Sequence, residues 1–428
     1  MKRLLIISPY FPPSNTADMQ RVRMSLSYFN QFGWEAEVVT VDPSYSDQPK
    51  DDLLMQTIPT DTKIHTVGAH NKKWTSKFGF GNIAFRSYWF YRKKVDELLK
   101  KQKFDLIYFS TTQFPICVLG SHWKKRFGVP FVIDMQDAWY SIYYDDKPKH
   151  HQPPKYRFSY GLHKYLEPMA IKQAAGLISV SENYIIDLKN RYPEIKNIPS
   201  ATITFGSFKP DLEIAKKNKD HFVNLLNPGF KNIVYIGRGG TDLHNAIIPV
   251  FKAFKQVLTE YPEVYTKVQL YFIGTSYAPP GQGISTILPL AKKFEIENNV
   301  TEMTDRISYF HALTTLQQAD ALFIPGSDDP KYTASKIYPY LLIKKPLLAV
   351  FNSKSPALSV LNNCGTQYVY SYDATPEIHT CLLNFFKALI NNTIGEPHYN
   401  KECIEKYSAQ NMTKKQCDLF NLALNQAR

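Results

Sequence analysis

The chain has 428 residues, 44% of them hydrophobic and 14% aromatic, so it can fill more than one core and its length favours two or three domains. No apolar run approaches the roughly 18 residues needed to span a bilayer. Its five scattered cysteines, with no C-x-x-C pair, argue against a zinc ribbon or a disulfide scaffold and read as reduced, mostly buried thiols. Lysine and arginine number 51 against 38 acidic residues, a net charge of +13, which calls for anionic partners without choosing between nucleic acid, phosphorylated metabolites and acidic lipid.

The first apolar burst stops at "SPYFPP", too early for a signal peptide, and reads as a buried strand of a cytoplasmic protein. Strands follow at 35–41, 105–111, 130–136, 175–181 and 201–206. Most are continuously apolar, as strands covered on both faces must be. Helix-like segments at 18–32, 86–103 and 182–192 lie between them, the βαβ rhythm of a parallel sheet. Residues 207–231 carry lysines and prolines and no strand signal, and mark a linker between a domain at 1–206 and one at 232–399. The rhythm restarts at 232–237, 268–274, 319–326, 346–351 and 366–371, and residues 400–428 read as a C-terminal helix. The expected fold class is α/β, two Rossmann-like halves with a cleft between them.

Ligands of such sheets bind beyond the carboxyl ends of the strands. After the first strand, Ser14, Asn15 and Thr16 are N-cap candidates for a helix carrying Arg21. After 130–136, Asp137 puts a carboxylate at the cleft mouth. In the second half three strands end in glycine, at Gly237, Gly274 and Gly326, where the backbone turns and a ligand can approach. Arg238 follows the first of them, and its fork of donors suits a diphosphate. In "GSDDPKYTASKIYPYLLIKKPLLAVF" (326–351) a helix of roughly four turns is expected to start near Thr333, kinked by Pro339. Lys336 with the Thr333 and Ser335 hydroxyls would then sit at a helix start that favours an anion. Neither G-x-G-x-x-G nor G-x-x-x-x-G-K-[ST] occurs, which disfavours dinucleotide enzymes and P-loop ATPases. With no Asp-x-Asp and no clustered histidines, no bound metal is expected.

These segments carry a resemblance. "ISPYFPPSNTADMQR", "GVPFVIDMQDAW", "IVYIGR" and "LQQADALFIPGSDDPKYTASKIYPYLLIKKPLLAV" together resemble a glycosyltransferase of the GT-B fold, of the family-four type that builds bacterial surface polysaccharides, over nearly the whole chain. The resemblance implies a nucleotide-sugar co-substrate held mainly by the second domain, with no separate cofactor, and a saccharide or lipid-linked acceptor on the first. Arg238 and Lys336 would hold the diphosphate and, with Asp137, form the catalytic set. Gly237, Gly274, Arg306, Ile307, Ser327, Asp328, Thr333, Ser335 and Tyr338 would bind the donor, with Arg306 and Ile307 near the base. Ser14, Asn15, Thr16 and Arg21 would face the acceptor. The last helix would cross back to brace the first domain, and transfer would retain anomeric configuration without metal. The sequence departs from the family at Lys331 and Pro339, where glutamates are usual, and at the missing lysine after Arg238. An inactive nucleotide-sugar-binding protein of the same fold is the first rival reading. A nucleic-acid-binding protein is the second and is set aside, because only 72–94 mixes cations with aromatics. That acid-free segment instead fits contact with an anionic membrane, against a competing reading in which its aromatics are core.

Overall fold

The computed structural model describes residues 1–139, 156–329 and 335–427. The chain divides into two compact units, Met1–Gly206 with Ser408–Arg428, and Ser207–Tyr407.

The first unit is built on a parallel sheet of seven strands: β1 (Lys2–Ile7), β2 (Trp34–Val41), β3 (Lys63–Val67), β4 (Leu106–Thr111), β5 (Phe131–Met135), β6 (Gly176–Ser179) and β7 (Ser200–Thr202), in the order β3-β2-β1-β4-β5-β6-β7. β4 and β5 are buried along their whole length, which is why they read as unbroken apolar runs. β3 was not expected. Its sequence, Lys-Ile-His-Thr-Val, sits at the sheet edge and is largely open to solvent, so it lacks the apolar signal of the centre. The helix Ala409–Ala427 belongs to this unit: Phe420 lies 4.9 Å from the Tyr108 ring and 5.5 Å from Trp34, and Gln416 donates to Ser25 Oγ at 2.9 Å.

The second unit has six parallel strands: β8 (Lys231–Ile236), β9 (Val268–Ile273), β10 (Val300–Met303), β11 (Ala321–Pro325), β12 (Leu347–Phe351) and β13 (Tyr368–Ser371), in the order β10-β9-β8-β11-β12-β13. β10, Val-Thr-Glu-Met, is another unexpected edge strand with a polar middle. Residues 207–231 are folded into this unit rather than strung out. They form the helix Lys209–Lys217, which packs on the helix Tyr309–Gln318 through Tyr309 Oη donating to Asp211 (2.8 Å) and Gln317 donating to the Leu212 carbonyl (3.1 Å).

The cysteine expectation needs correction. Cys364 and Cys403, 39 residues apart in sequence, are joined by a disulfide with a Cα separation of 5.2 Å, while Cys117 and Cys417 are buried thiols. The pairing arises where the ends of the helices Pro356–Asn363 and Lys401–Lys406 meet, held by the Asn400 N–H donating to the Cys364 carbonyl at 2.9 Å, a long-range juxtaposition that spacing does not encode.

Candidate functional site

In the second sheet the chain direction of winding reverses between β8 and β11, the position at which open parallel sheets bind ligands. The turns following these two strands therefore define the candidate site. β8 ends at Ile236 and turns through Gly237 to Arg238; β11 ends at Pro325 and turns through Gly326 to Ser327. A side chain at Gly326 would run into Phe351 of the neighbouring strand at 2.5 Å, so close packing between β11 and β12 forbids one.

Lys336 reaches into the first turn. Its amine lies 4.7 Å over the Tyr235 ring and donates to Tyr235 Oη at 3.2 Å. Gly237 leaves the room it occupies: a Cβ there would fall 1.4 Å from Lys336 Nζ. The amine is surrounded by protein rather than water, and it lies near the Arg238 and Arg306 charges. Burial first, then those two cations, push it down to about 7. Among the described residues it pairs with no carboxylate.

Arg238 is organised differently. Its guanidinium donates to both oxygens of Asp242, at 2.9 and 2.6 Å, and Ser327 Oγ donates to the same carboxylate at 2.7 Å. The Asp328 N–H donates to the Asp242 carbonyl at 2.9 Å, tying the turn after β8 to the turn after β11. The Arg238 guanidinium, ahead of Ser327, holds the Asp242 carboxyl below the usual carboxylate range. Tyr235 Oη donates to the Arg238 carbonyl at 2.9 Å, so one tyrosine supports both cationic residues. Arg306 lies with its guanidinium 4.7 Å over the exposed Tyr277 ring and its Cα beside Gly274.

The other expected donor residues fall in several places. Ile307 is partly buried against the core on the Tyr338 side of the sheet. Tyr338 is buried and packs on Tyr407 with ring centroids 4.9 Å apart, a core position. Ser335 is exposed, and Thr333 lies outside the described residues. The helix itself is shorter than expected, Ile337–Ile343, about two turns, with Lys336 as its N-cap residue. Tyr340 anchors it by accepting the Ile236 N–H at 3.0 Å, and Lys344 closes it in a left-handed conformation.

In the first unit the expected cap is absent. The helix opens only at Gln20, with Met19 before it and no side-chain cap; Ser14 is buried and bridged to Lys50, the Asn15 N–H donates to the Pro49 carbonyl, and Thr16 donates to Asp18 at 2.7 Å. Arg21 does not face outward. It is fully buried, 2.7 Å from Asp134, and donates to the Ile203 carbonyl at 2.7 Å, with its guanidinium 4.9 Å over Phe205. Asp137 is exposed and accepts the Ala138 N–H at 2.8 Å.

Three side chains central to these arrangements were not picked out from sequence: Tyr235, Asp242 and Asp18. Asp242 stands four residues after Arg238 in "RGGTD", a spacing at which an ion pair is a fair expectation. Asp18 lies where the winding of the first sheet reverses, between β1 and β4. Its carboxylate accepts from the Thr111 hydroxyl (3.1 Å) and from the Thr112 N–H and hydroxyl (both 3.3 Å), and burial pushes its carboxyl up.

No protein-family model matches the chain, and no curated protein matches it by sequence. Solved structures do. Sucrose-phosphate synthase from Thermosynechococcus elongatus aligns at a TM-score of 0.59 and 13% identity, covering 98% of this chain and 98% of that one. The fold is GT-B. The UDP-forming α,α-trehalose-phosphate synthase from Burkholderia xenovorans, in complex with glucose-6-phosphate, aligns at 0.56 and 11% identity over 98% of this chain and all of that one. A S. aureus TarM mutant in complex with fondaparinux, α-GlcNAc-glycerol and UDP gives 0.54 and 13%, again over 98% of this chain and all of that one. This GT-B chain therefore shares with these glycosyltransferases two Rossmann-like units at full length, and at such identities the likeness is one of fold.

Proposed function

We propose that the chain is a glycosyltransferase that moves a sugar from a nucleotide-diphosphate sugar to a saccharide or lipid-linked saccharide, with retention and without a bound metal. The observation that carries the reading is the Lys336 amine, set over Gly237 at the β8–β11 reversal beside Arg238 and Arg306, with no carboxylate to neutralise it among the described residues. An amine so placed is costly to keep charged until an anion arrives. In the reaction the C1–O bond to the diphosphate breaks, the electron pair leaves with the phosphate oxygen, the acceptor hydroxyl oxygen bonds to C1, and its proton passes to the departing phosphate oxygen. Negative charge grows on the leaving diphosphate, and fixed cations there lower the barrier because they act more strongly in the transition state than before it. The solved structure in complex with UDP fits this class of co-substrate.

A thermal-shift screen of UDP, GDP, ADP and CMP sugars, run with EDTA present, tests the donor. One class is expected to stabilise the protein, by about 2.7 kcal/mol at 100 times its dissociation constant. Silence across the panel would remove the donor reading.

The state of Lys336 gives a second expectation, with a definite sign. Above about pH 7 the amine is neutral in the free protein. A bound diphosphate favours the ammonium, so binding at higher pH takes up a proton and weakens as pH rises. The dissociation constant of the preferred donor, whose diester phosphates do not titrate in this range, is expected to rise toward tenfold per pH unit from about pH 7 to about pH 9, and the slope to vanish in Lys336→Met. Isothermal titration calorimetry across that range measures it; a flat wild-type profile would take Lys336 out of the diphosphate site.

A further inference from the structure

The donor reading makes no use of the acid-free segment at residues 72–94 of the first unit. It begins with the short helix Lys72–Thr75 and a turn at Ser76–Phe78, then passes into the long helix Ile83–Lys101. Two asparagines fix these starts. Asn71 accepts the Lys73 N–H at 2.9 Å, and Asn82 accepts the Ala84 N–H at 2.7 Å. The Phe80 N–H closes the turn on the Thr75 carbonyl at 3.0 Å.

On this ordered tip the largest apolar side chains point the wrong way for a core. Trp74 is 69% exposed, Phe78 64% and Trp89 60%, with Phe80 and Phe90 also exposed. The Trp74 and Phe78 rings lie 6.0 Å apart. Lys73, Lys77 and Lys93 are exposed in the same segment, and the Arg92 guanidinium lies 5.3 Å over the Trp89 ring. Part of the stretch drops out, Tyr91 among it as core. Ile83 is core, and Arg86 is buried, donating to the His70 and Tyr45 carbonyls at 2.8 and 3.1 Å. Lys72 is engaged with Asp47.

What is left is a set of exposed tryptophan and phenylalanine side chains interleaved with exposed cations along one short stretch. Clustered exposed aromatics mark an interaction surface. Indole and phenyl rings beside ammonium and guanidinium groups suit the boundary between headgroups and acyl chains, where the ring enters the apolar layer and the cation meets the phosphate. We propose that this face docks the first unit on an anionic lipid bilayer, with Trp74, Phe78 and Trp89 entering the headgroup region and Lys73, Lys77, Arg92 and Lys93 set against acidic headgroups. No helix among the described residues is long and apolar enough to cross a membrane, so the contact made by this face lies at the surface.

Flotation of the full chain with vesicles of phosphatidylcholine alone, and of phosphatidylcholine with phosphatidylglycerol, tests this without any donor. The protein is expected to float with the anionic vesicles and to be released as salt rises. Trp74→Ser with Phe78→Ser, and separately Lys73→Glu with Lys77→Glu, are each expected to lower partitioning about tenfold or more. These side chains are exposed, so circular dichroism and melting of the variants should match the parent. Equal flotation with neutral vesicles, none with either, or variants that float like the parent would overturn the proposal. Because the donor screen does not involve this face, its outcome and this one fail independently.

Discussion

Lys336→Ala is expected to lower sugar-transfer turnover by about a hundredfold to a thousandfold, and Arg238→Ala by clearly less. Both residues supply a cation to the turn after β8, but they do so in different settings. Arg238 shares its guanidinium with the Asp242 carboxylate, which also accepts from Ser327, so part of its field is cancelled before a ligand arrives. Among the described residues Lys336 meets a hydroxyl and a ring at Tyr235 and no carboxylate, and its charge is there the less compensated of the two. Losing one donor aimed at a leaving group costs roughly 3–4 kcal/mol of barrier, and the full cost belongs at Lys336. Rates come from a product assay with the donor that the stability screen selects. Since the amine holds no ion pair with a carboxylate among the described residues and its removal empties space beside Gly237, the fold should persist, checked by an unchanged melting curve. Turnover near the parent value in Lys336→Ala would remove it from catalysis. An equal or greater loss in Arg238→Ala would show that Asp242 positions that arginine rather than offsetting it.

Breaking the pair of Arg21 and Asp134 should cost the first unit about 3–5 kcal/mol of stability. Arg21 rises from the helix Gln20–Leu26 and Asp134 from β5, and both side chains are fully buried. Asp134 Oδ2 also accepts from Ser110 at 2.8 Å and Tyr108 at 3.1 Å, while Oδ1 is buried with no hydrogen-bond partner among the described residues, so the arginine is the main compensation of this charge. Arg21→Met leaves that charge without its cation in a dry interior, where the lost attraction and the desolvation act in the same direction. The double variant Arg21→Met, Asp134→Leu removes both charges and is expected to recover most of the loss, because a matched apolar pair at such a site is often as stable as the ion pair. Urea unfolding followed by tryptophan fluorescence measures both. An Arg21→Met protein with unchanged stability but weakened acceptor use would return Arg21 to the acceptor-facing role that its sequence context suggested.

The sequence by itself determined the architecture. Strands buried on both faces must be apolar without interruption, so β1, β4, β5, β9, β11 and β12 were visible as runs, and their alternation with helical segments specified two parallel sheets. Turns that follow such strands need small residues where neighbours press close, which is why Gly237 and Gly326 could be singled out. Two of the four edge strands escaped notice because an edge covered on fewer sides tolerates Lys, His, Thr and Glu, as β3 and β10 show. Only the tertiary structure decided the rest, and for one physical reason: burial and pairing depend on what the chain brings alongside from far away. Arg21 reads as a helix-surface residue until Asp134, 113 positions on, is seen against it. Cys364 reads as a lone thiol until Cys403 arrives at its side. Lys336 reads as an ordinary ammonium, and its pKa is lowered because the fold buries its amine over Tyr235 and then sets the Arg238 and Arg306 charges near it, neighbours drawn from two separate stretches of chain.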